Sequence, residues 1–132
     1  MAQPIHASAV GFDGAGLIVM GPSGSGKSTL VWQLIGLGGV LVADDRVHVV
    51  PTGDRLWLDA PEAIRGKIEA RQFGLLMVEW KPAFAKAVVD LSKMEAARLP
   101  EPRHTFLEGI RLPLFYKVES SAFPAMLRAY LW

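Results

Sequence analysis

The fold of this chain is decided by one stretch, Gly21-Pro22-Ser23-Gly24-Ser25-Gly26-Lys27-Ser28. It matches in full the pattern G-x-x-x-x-G-K-[ST], which is typical of loops that bind nucleotide phosphates. Glycines allow backbone N–H groups to approach phosphate oxygens without a Cβ clash, and the following helix presents its positive end to the same anion. In such a loop Lys27 supplies a cation for the β- and γ-phosphates, and the Ser28 hydroxyl ligates Mg²⁺. The pattern therefore predicts nucleotide binding.

The sequence on either side of the loop agrees with this interpretation. Gly16–Met20, just before the loop, is an apolar run of strand length. Ser28–Leu37, just after it, carries apolar residues at near-helical spacing and ends at Gly38-Gly39. The alternative is a glycine- and serine-rich surface loop without a ligand. A strand before the loop and an amphipathic helix after it favour the nucleotide site.

The rest of the chain predicts short strands and few helices. A closing helix is expected from Ser120/Ser121 to Tyr130, a short turn over Pro61–Ile64 and a loop over Met94–Arg103, whereas Lys67–Trp80 is placed only loosely. The predicted strands are Ile5–Val10, Gly16–Met20, Val40–Ala43, Arg46–Val50, Leu56–Leu58 and Ala87–Leu91. Two hairpins are expected, one turning at Gly11-Phe12-Asp13-Gly14 and one at Pro51-Thr52-Gly53-Asp54. The fold class is therefore α/β, a mixed sheet that contains a P-loop and has too few helices to be regularly doubly wound.

Composition limits the classes of protein that fit. At 132 residues the chain is expected to form a single P-loop domain over 1–132. A net charge of +1 argues against nucleic-acid binding by phosphate neutralisation. The absence of cysteine excludes disulfides, zinc–thiolate sites and thiol catalysis. The N-terminus lacks the pattern of a signal peptide and no apolar run is long enough for a membrane span, so a cytoplasmic location is expected.

Two consecutive carboxylates follow the helix at a short distance. Asp44 comes 17 residues after Lys27, which leaves room for one helix, a tight turn and one strand. Asp44 and Asp45 should then lie at the carboxyl end of a returning strand, where α/β folds place ligands. One carboxylate would bind the metal, and the other would accept a proton from an incoming hydroxyl. A polar turn without function is the alternative, and the neighbouring phosphate loop favours the functional interpretation.

Taken together, these motifs resemble the catalytic domain of HPr kinase/phosphorylase. The resemblance is carried by four pieces: Ile5-His6-Ala7, Gly21–Ser28, Leu41-Val42-Ala43-Asp44-Asp45-Arg46-Val47, and Pro61–Arg71 continuing into Gln72-Phe73-Gly74-Leu75-Leu76. The match extends from Ile5 to about Leu91. A double aspartate at this distance from the loop is also found in the related phosphoenolpyruvate carboxykinases, so the resemblance implies a fold of that type.

The resemblance implies an enzyme that transfers phosphate from ATP, with Mg²⁺, to a serine of the phosphocarrier protein HPr or its nitrogen-PTS counterpart. It implies catalytic roles for His6, Lys27, Asp44, Asp45 and Arg98, and magnesium-binding roles for Ser28 and Glu69. It places the nucleotide on Gly21, Pro22, Ser23, Gly24, Ser25, Gly26, Lys27 and Ser28, and the family's mechanism segment on Ile68–Met77. Members of the family assemble as hexamers, so a homo-oligomer is expected, without a nucleic-acid or membrane partner.

The chain departs from the family in two places. It is expected to lack the additional N-terminal domain and so to resemble the short forms of some proteobacteria. Near the C-terminus the family carries a proline-, glycine- and arginine-rich loop linked to dephosphorylation. The corresponding stretch here is Arg111-Leu112-Pro113-Leu114-Phe115-Tyr116-Lys117, which lacks that composition. We therefore predict weak or absent phosphorylase activity.

Two other functions fit the phosphate loop. One is a P-loop kinase for a small metabolite, although such enzymes usually need a lid with arginines and the chain has no long basic insertion. The other is a module that binds ATP and regulates a partner without transferring phosphate. At the level of single residues, His6 alone fits a packing histidine as well, and Arg71 fits either a phosphate clamp or an ordinary salt bridge.

Overall fold

The computed structural model describes residues 3–132, so Met1 and Ala2 of the predicted domain lie outside the described residues. Its strands are β1 (Ser8–Phe12), β2 (Ala15–Met20), β3 (Val40–Ala43), β4 (His48–Thr52), β5 (Arg55–Asp59), β6 (Lys67–Ala70), β7 (Gly74–Met77), β8 (Ala83–Met94), β9 (Arg103–Leu107) and β10 (Ile110–Lys117). The helices are α1 (Lys27–Gly36) and α2 (Phe123–Leu131), with a 3₁₀ turn over Glu62–Ile64. Many strands and two α-helices within the described residues confirm the predicted fold class.

One large mixed sheet organises the molecule. Its order is β3-β1-β2-β8-β10-β9, and the β4–β5 hairpin joins it where β5 pairs with β8. Strands β2, β8 and β10 are parallel neighbours, whereas β1 runs antiparallel to both β2 and β3. The carboxyl ends of β2, β3, β8 and β10 therefore meet at one edge of the sheet, the edge at which parallel sheets bind ligands.

A hydrophobic core lies on each face of this sheet. The helices cover one face, where Leu30, Val31 and Leu34 of α1 pack with Leu127 of α2. The β4–β5 hairpin covers the other face with Val49, Leu56 and Leu58. Burial on both faces explains why the central strands are nearly continuous apolar runs. It also holds the edge that carries the phosphate loop in a fixed position.

The predicted elements near the N-terminus are correct in kind and shifted at their ends. The first hairpin turns at Asp13-Gly14, as predicted, and both residues have positive φ (49° and 82°). Its first strand begins at Ser8 and not at Ile5, because the Ala7 N–H bonds back to the Ile5 carbonyl and Ile5 pairs with Val47 instead.

The second predicted hairpin turns at Gly53-Asp54 only, since its neighbours Pro51 and Thr52 belong to β4.

Three regions differ more strongly from the prediction. Lys67–Trp80 contains a separate two-stranded sheet, β6–β7. The predicted strand Ala87–Leu91 is the middle of the 12-residue β8. The stretch from Arg103 to Lys117 forms the hairpin β9–β10, where no strand was expected, with Pro113 inside β10. Proline is disfavoured in strands because it has no N–H to donate to a neighbouring strand. The sequence around Pro113 therefore did not predict a strand.

Candidate phosphate-binding site

The phosphate loop spans the gap between the end of β2 and the start of α1. Gly21, Gly24 and Gly26 have φ values of 149°, 85° and 101°, which L-residues with a Cβ rarely adopt. The Ser25 N–H bonds to the Pro22 carbonyl (3.1 Å), which closes a tight turn inside the loop. The loop therefore has the backbone shape that lets successive N–H groups face an anion at a helix N-terminus.

The first glycine is required by space as well as by conformation. A Cβ on Gly21 would lie 2.5 Å from Ser25 Oγ, well inside van der Waals contact. That hydroxyl is buried and makes no hydrogen bond within residues 3–132. Ser25 thus fills the inside of the loop, and only glycine fits opposite it.

Beside the loop lies a cleft of about 310 Å³, referred to below as the phosphate cleft. It is lined by His6, Pro22, Ser23, Gly24, Gly26, Lys27, Ser28, Thr29, Asp45, Glu69 and Arg71. The fold therefore brings His6, Lys27, Ser28, Asp45 and Glu69 together from four separate parts of the chain. Their mix of cations, carboxylates and a hydroxyl is suited to a magnesium-bound polyphosphate.

The two aspartates that follow β3 have different surroundings. Asp45 lines the phosphate cleft, and its Oδ1 lies 2.8 Å from Nε2 of His6, with both side chains 62% exposed. Its backbone has a φ of 70°, a left-handed conformation uncommon for residues other than glycine. Asp44 is not among the residues that line the cleft. Of the two carboxylates, Asp45 is therefore the one available to a ligand.

Asp44 instead ties three segments of the chain together. Its Oδ1 accepts a hydrogen bond from Ser8 Oγ (3.3 Å), and its Oδ2 accepts one from the Glu69 N–H (3.2 Å). Ser8 is buried, and its hydroxyl also accepts a hydrogen bond from the Asp45 N–H (3.0 Å). Asp44 thus fixes β6 and the Asp45 backbone relative to β1. Burial raises the pKa of the Asp44 carboxyl above its ordinary value, and the two backbone and side-chain hydrogen bonds only partly oppose this effect.

We expect the stability of Asp44→Asn relative to the wild type to depend on pH. The amide removes a charge that burial disfavours, but it has one acceptor where the carboxylate uses two, so either the buried Ser8 hydroxyl or the Glu69 N–H loses its acceptor. The measurement is thermal unfolding of both proteins from neutral to acidic pH.

The pH dependence provides the check. Because the pKa of Asp44 is raised in the folded state, the folded chain binds that proton more tightly than the unfolded chain. The cost of the charge is full above the raised pKa and disappears as pH falls below about 4, the ordinary carboxyl range. The wild type should therefore gain stability relative to Asp44→Asn as the pH falls, and Asp54→Asn, in an exposed turn, serves as the control for loss of one carboxylate. A stability difference between the wild type and Asp44→Asn that does not change with pH would contradict this account.

Glu69 and Arg71 reach the cleft through the β6–β7 hairpin. Besides its bond to Asp44, the Glu69 backbone accepts a hydrogen bond from Nε1 of Trp32 on α1 (3.3 Å). The hairpin is therefore attached both to α1 and to the end of β3. On sequence alone Glu69 was suggested only by the family resemblance, because its pattern there is that of a solvated charge.

The donor set fits a magnesium ion that phosphates help to coordinate. Within residues 3–132 no group of three or more His, Cys, Asp or Glu side chains is placed to hold a metal alone. Three hard oxygen donors surround this one cleft: the Ser28 hydroxyl and the carboxylates of Glu69 and Asp45. Mg²⁺ typically takes one or two carboxylates and completes its shell with phosphate oxygens and water. The residues present therefore fit the ion when a polyphosphate is bound.

Two basic residues depart from the expected site. Arg98 lies exposed between β8 and β9 and does not line the phosphate cleft, so its catalytic role stays a prediction. Lys117 at the end of β10 was not predicted as a site residue, yet its Nζ donates to the Ser25 carbonyl of the phosphate loop (3.2 Å). No local pattern links residues that are 92 positions apart, and only the parallel pairing of β10 with β8 brings them together.

Comparison with known proteins gives a consistent result. The family model described as the HPr Serine kinase C-terminal domain matches residues 1–94. The HPr kinase/phosphorylase of Caldanaerobacter subterraneus subsp. tengcongensis is 43% identical over 76 residues, and that of Caldicellulosiruptor bescii is 39% identical over 75. These segments cover 57% and 56% of this chain but only 25% and 24% of those proteins, so the chain matches about a quarter of the relatives' length.

A solved structure extends the likeness to the whole fold. The structure of the Hpr(Ser) kinase/phosphatase from Coxiella burnetii superimposes with a TM-score of 0.78 at 20% sequence identity. The alignment covers 97% of this chain and 93% of that one, so the β9–β10 hairpin and α2 belong to the shared fold. None of the helices within residues 3–132 has the length and apolar character to cross a membrane.

Proposed function

Because the chain belongs to the family of the HPr serine kinase C-terminal domain, we propose that it transfers the γ-phosphoryl group of ATP to a serine of an HPr-like phosphocarrier protein. One observation carries the proposal. The phosphate cleft is lined both by Lys27 and Ser28 of the loop and by Asp45 and His6. A loop that only binds nucleotide does not need a carboxylate–histidine pair facing the phosphates.

The residues of the cleft divide the reaction between them. The loop backbone and Lys27 hold the β- and γ-phosphates and offset their charge. The serine hydroxyl oxygen of the carrier attacks the γ-phosphorus, and the bond from that phosphorus to the β-phosphate oxygen breaks, so that ADP leaves. The hydroxyl proton passes to the Asp45 carboxylate, which lies in the cleft and is oriented by His6. Asp44 positions the Glu69 backbone directly and the Asp45 backbone through Ser8.

Magnesium has a place in this arrangement. Ser28 and Glu69 would hold the ion, and when bound it would neutralise charge on the β- and γ-phosphates. The exposed Glu69 carboxylate reaches the cleft from a hairpin whose backbone is fixed by Asp44 and Trp32. Assembly of several copies, which the family resemblance implies, stays a prediction.

The proposal is tested by offering ATP labelled at the γ-phosphate to several acceptors. The purified chain is incubated with an HPr-like phosphocarrier and, separately, with a panel of small hydroxylated metabolites. We expect label on the carrier alone. Label on a metabolite would favour a small-molecule kinase, and binding of ATP without transfer would favour a sensing module. Either result would overturn the proposal.

We further expect the reverse, phosphorylase reaction to be slow. Attack of inorganic phosphate on phosphoserine brings two anions together and needs additional cations. Of the stretch 111–117 in β10, Lys117 contacts the phosphate loop, whereas Arg111 lies exposed beside His104 and the Phe115 ring packs edge-on against Tyr130, with centroids 4.9 Å apart. Pyrophosphate release from serine-phosphorylated carrier should be slower than the forward reaction by about 10²-fold, the loss typical of one missing charge-stabilising group. Equal rates in the two directions would contradict this prediction.

A further inference from the structure

A second cleft opens on the other side of the phosphate loop. It has a volume of about 480 Å³, within the usual range for small-molecule sites, and is referred to below as the α1–α2 cleft. One wall is α1, with Thr29, Leu30 and Gln33, and the other is the segment 117–121 together with the start of α2. Gly26 and Thr29 line both this cleft and the phosphate cleft. The two clefts therefore meet at the first turn of α1.

Lys117 stands at this junction. Its Nζ donates to the Ser25 carbonyl (3.2 Å), and a Cβ on Gly26 would lie 3.7 Å from the same nitrogen. Within residues 3–132 no carboxylate forms an ion pair with Lys117. An ammonium has three N–H donors, and the described residues use one of them. Lys117 is therefore a partly buried cation with donors to spare, held against a loop that binds anions.

The walls of the α1–α2 cleft combine two kinds of surface. The floor is apolar and is formed by four buried residues, Leu30, Leu91, Phe123 and Pro124. Around the floor lie exposed polar side chains, namely those of Thr29, Gln33, Glu119, Ser120 and Ser121. A nucleoside has the matching character, since its base is flat and apolar on its faces and its base edge and ribose form hydrogen bonds. An inorganic polyphosphate has no apolar part to place there.

We propose that the α1–α2 cleft receives the nucleoside of the bound nucleotide, and that Lys117 contacts the phosphates nearest to the ribose. This inference rests on the proposed function, because it presumes that the terminal phosphates occupy the phosphate cleft. The nucleotide then bends around the start of α1, with Gly26 and Thr29 between its two halves. It adds Lys117 and Gln33 to the residues that recognise the substrate.

The test compares two ligands that share phosphates and differ in the nucleoside. Affinities for Mg-ATP and for magnesium tripolyphosphate are measured by calorimetry on the full chain. The variant Gln33→Trp fills the α1–α2 cleft from an exposed position of α1. It should weaken Mg-ATP binding by about tenfold or more and leave tripolyphosphate binding unchanged. Ala129→Trp, on an exposed position of α2 away from the cleft, serves as the control and should change neither affinity.

Other variants separate this inference from the proposed function. Ser121→Trp fills the cleft from the opposite wall and should repeat the result, which covers the case that Gln33→Trp does not fold. Lys117→Met should weaken both ligands, whereas Lys81→Met, a remote exposed lysine, should weaken neither. Lys27→Ala should weaken both ligands through the phosphate loop alone. The inference is wrong if Lys27→Ala weakens both ligands but the tryptophan variants of the α1–α2 cleft leave Mg-ATP binding unchanged or weaken both ligands equally. In that case the nucleoside lies elsewhere, and the assignment of the phosphate site is unaffected.

Discussion

Replacing Lys27 by alanine will reduce phosphoryl transfer by about 10²-fold or more and leave the fold intact. The ammonium lines the phosphate cleft and forms no ion pair within residues 3–132, so its charge is available to a ligand. Loss of one positioned charge-stabilising group typically costs about 10²–10³-fold in rate. The buried core contains none of its atoms, so stability should change little. The measurement is the initial rate of carrier phosphorylation, with thermal unfolding recorded in parallel.

Lys81→Ala is the matched control for this result. Lys81 is an exposed lysine at the opposite end of the sheet, where it lines a cleft with Gly11 and Trp132. It should keep the wild-type rate. Ordinary turnover by Lys27→Ala would show that the phosphate loop does not bind the transferred group.

The variant Asp45→Asn will show the second large loss, about 10²–10⁴-fold in the rate of transfer. An amide occupies the same place beside His6 but cannot accept the proton of the attacking serine. Binding of Mg-ATP should change much less than the rate, because the phosphates are held by the loop. Raising the Mg²⁺ or Mn²⁺ concentration should not restore the rate of Asp45→Asn. It should partly restore that of Glu69→Gln, which loses an oxygen ligand of the metal.

Asp44→Asn distinguishes the two aspartates. Its side chain lies outside the phosphate cleft and accepts hydrogen bonds only from Ser8 and the Glu69 backbone, so its loss of rate should be smaller than that of Asp45→Asn. Asp54→Asn, in an exposed turn, controls for the change of net charge. The assignment of the proton acceptor is wrong if Asp45→Asn keeps ordinary activity while Asp44→Asn loses it.

The sequence was sufficient for the parts of the fold that are encoded locally. The phosphate loop has a residue pattern imposed by its backbone, with Gly21 opposite Ser25 as an example. The Asp13-Gly14 turn has a conformation that few residue pairs adopt, and α1 follows from its apolar spacing. The parts that were missed depend on long-range pairing. Leu75 and Met77 of β7 are apolar but exposed, so their pattern does not reveal a strand.

In the candidate site, too, the sequence predicted the features that are encoded locally and missed those that depend on long-range contacts. The spacing of Lys27 and Asp44 indicated that the carboxylates follow a strand returning toward the loop, and the structure has that strand as β3. The sequence could not show which aspartate faces the cleft, because this depends on the left-handed backbone of Asp45 and on the buried Ser8 hydroxyl. Nor could it place Lys117 at the phosphate loop, since that contact follows from the order of the strands in the sheet.

The central claim is tested most directly by locating the phosphate after the reaction. The chain is incubated with Mg-ATP labelled at the γ-phosphate and an HPr-like carrier, and the labelled residue is identified by mass spectrometry. A carrier in which the acceptor serine is alanine, and the Lys27→Ala chain, serve as controls. The account predicts one phosphoserine on the wild-type carrier, formed together with ADP, and no label in either control. Tight binding of Mg-ATP with an unmodified carrier, or label on a different kind of residue, would contradict it.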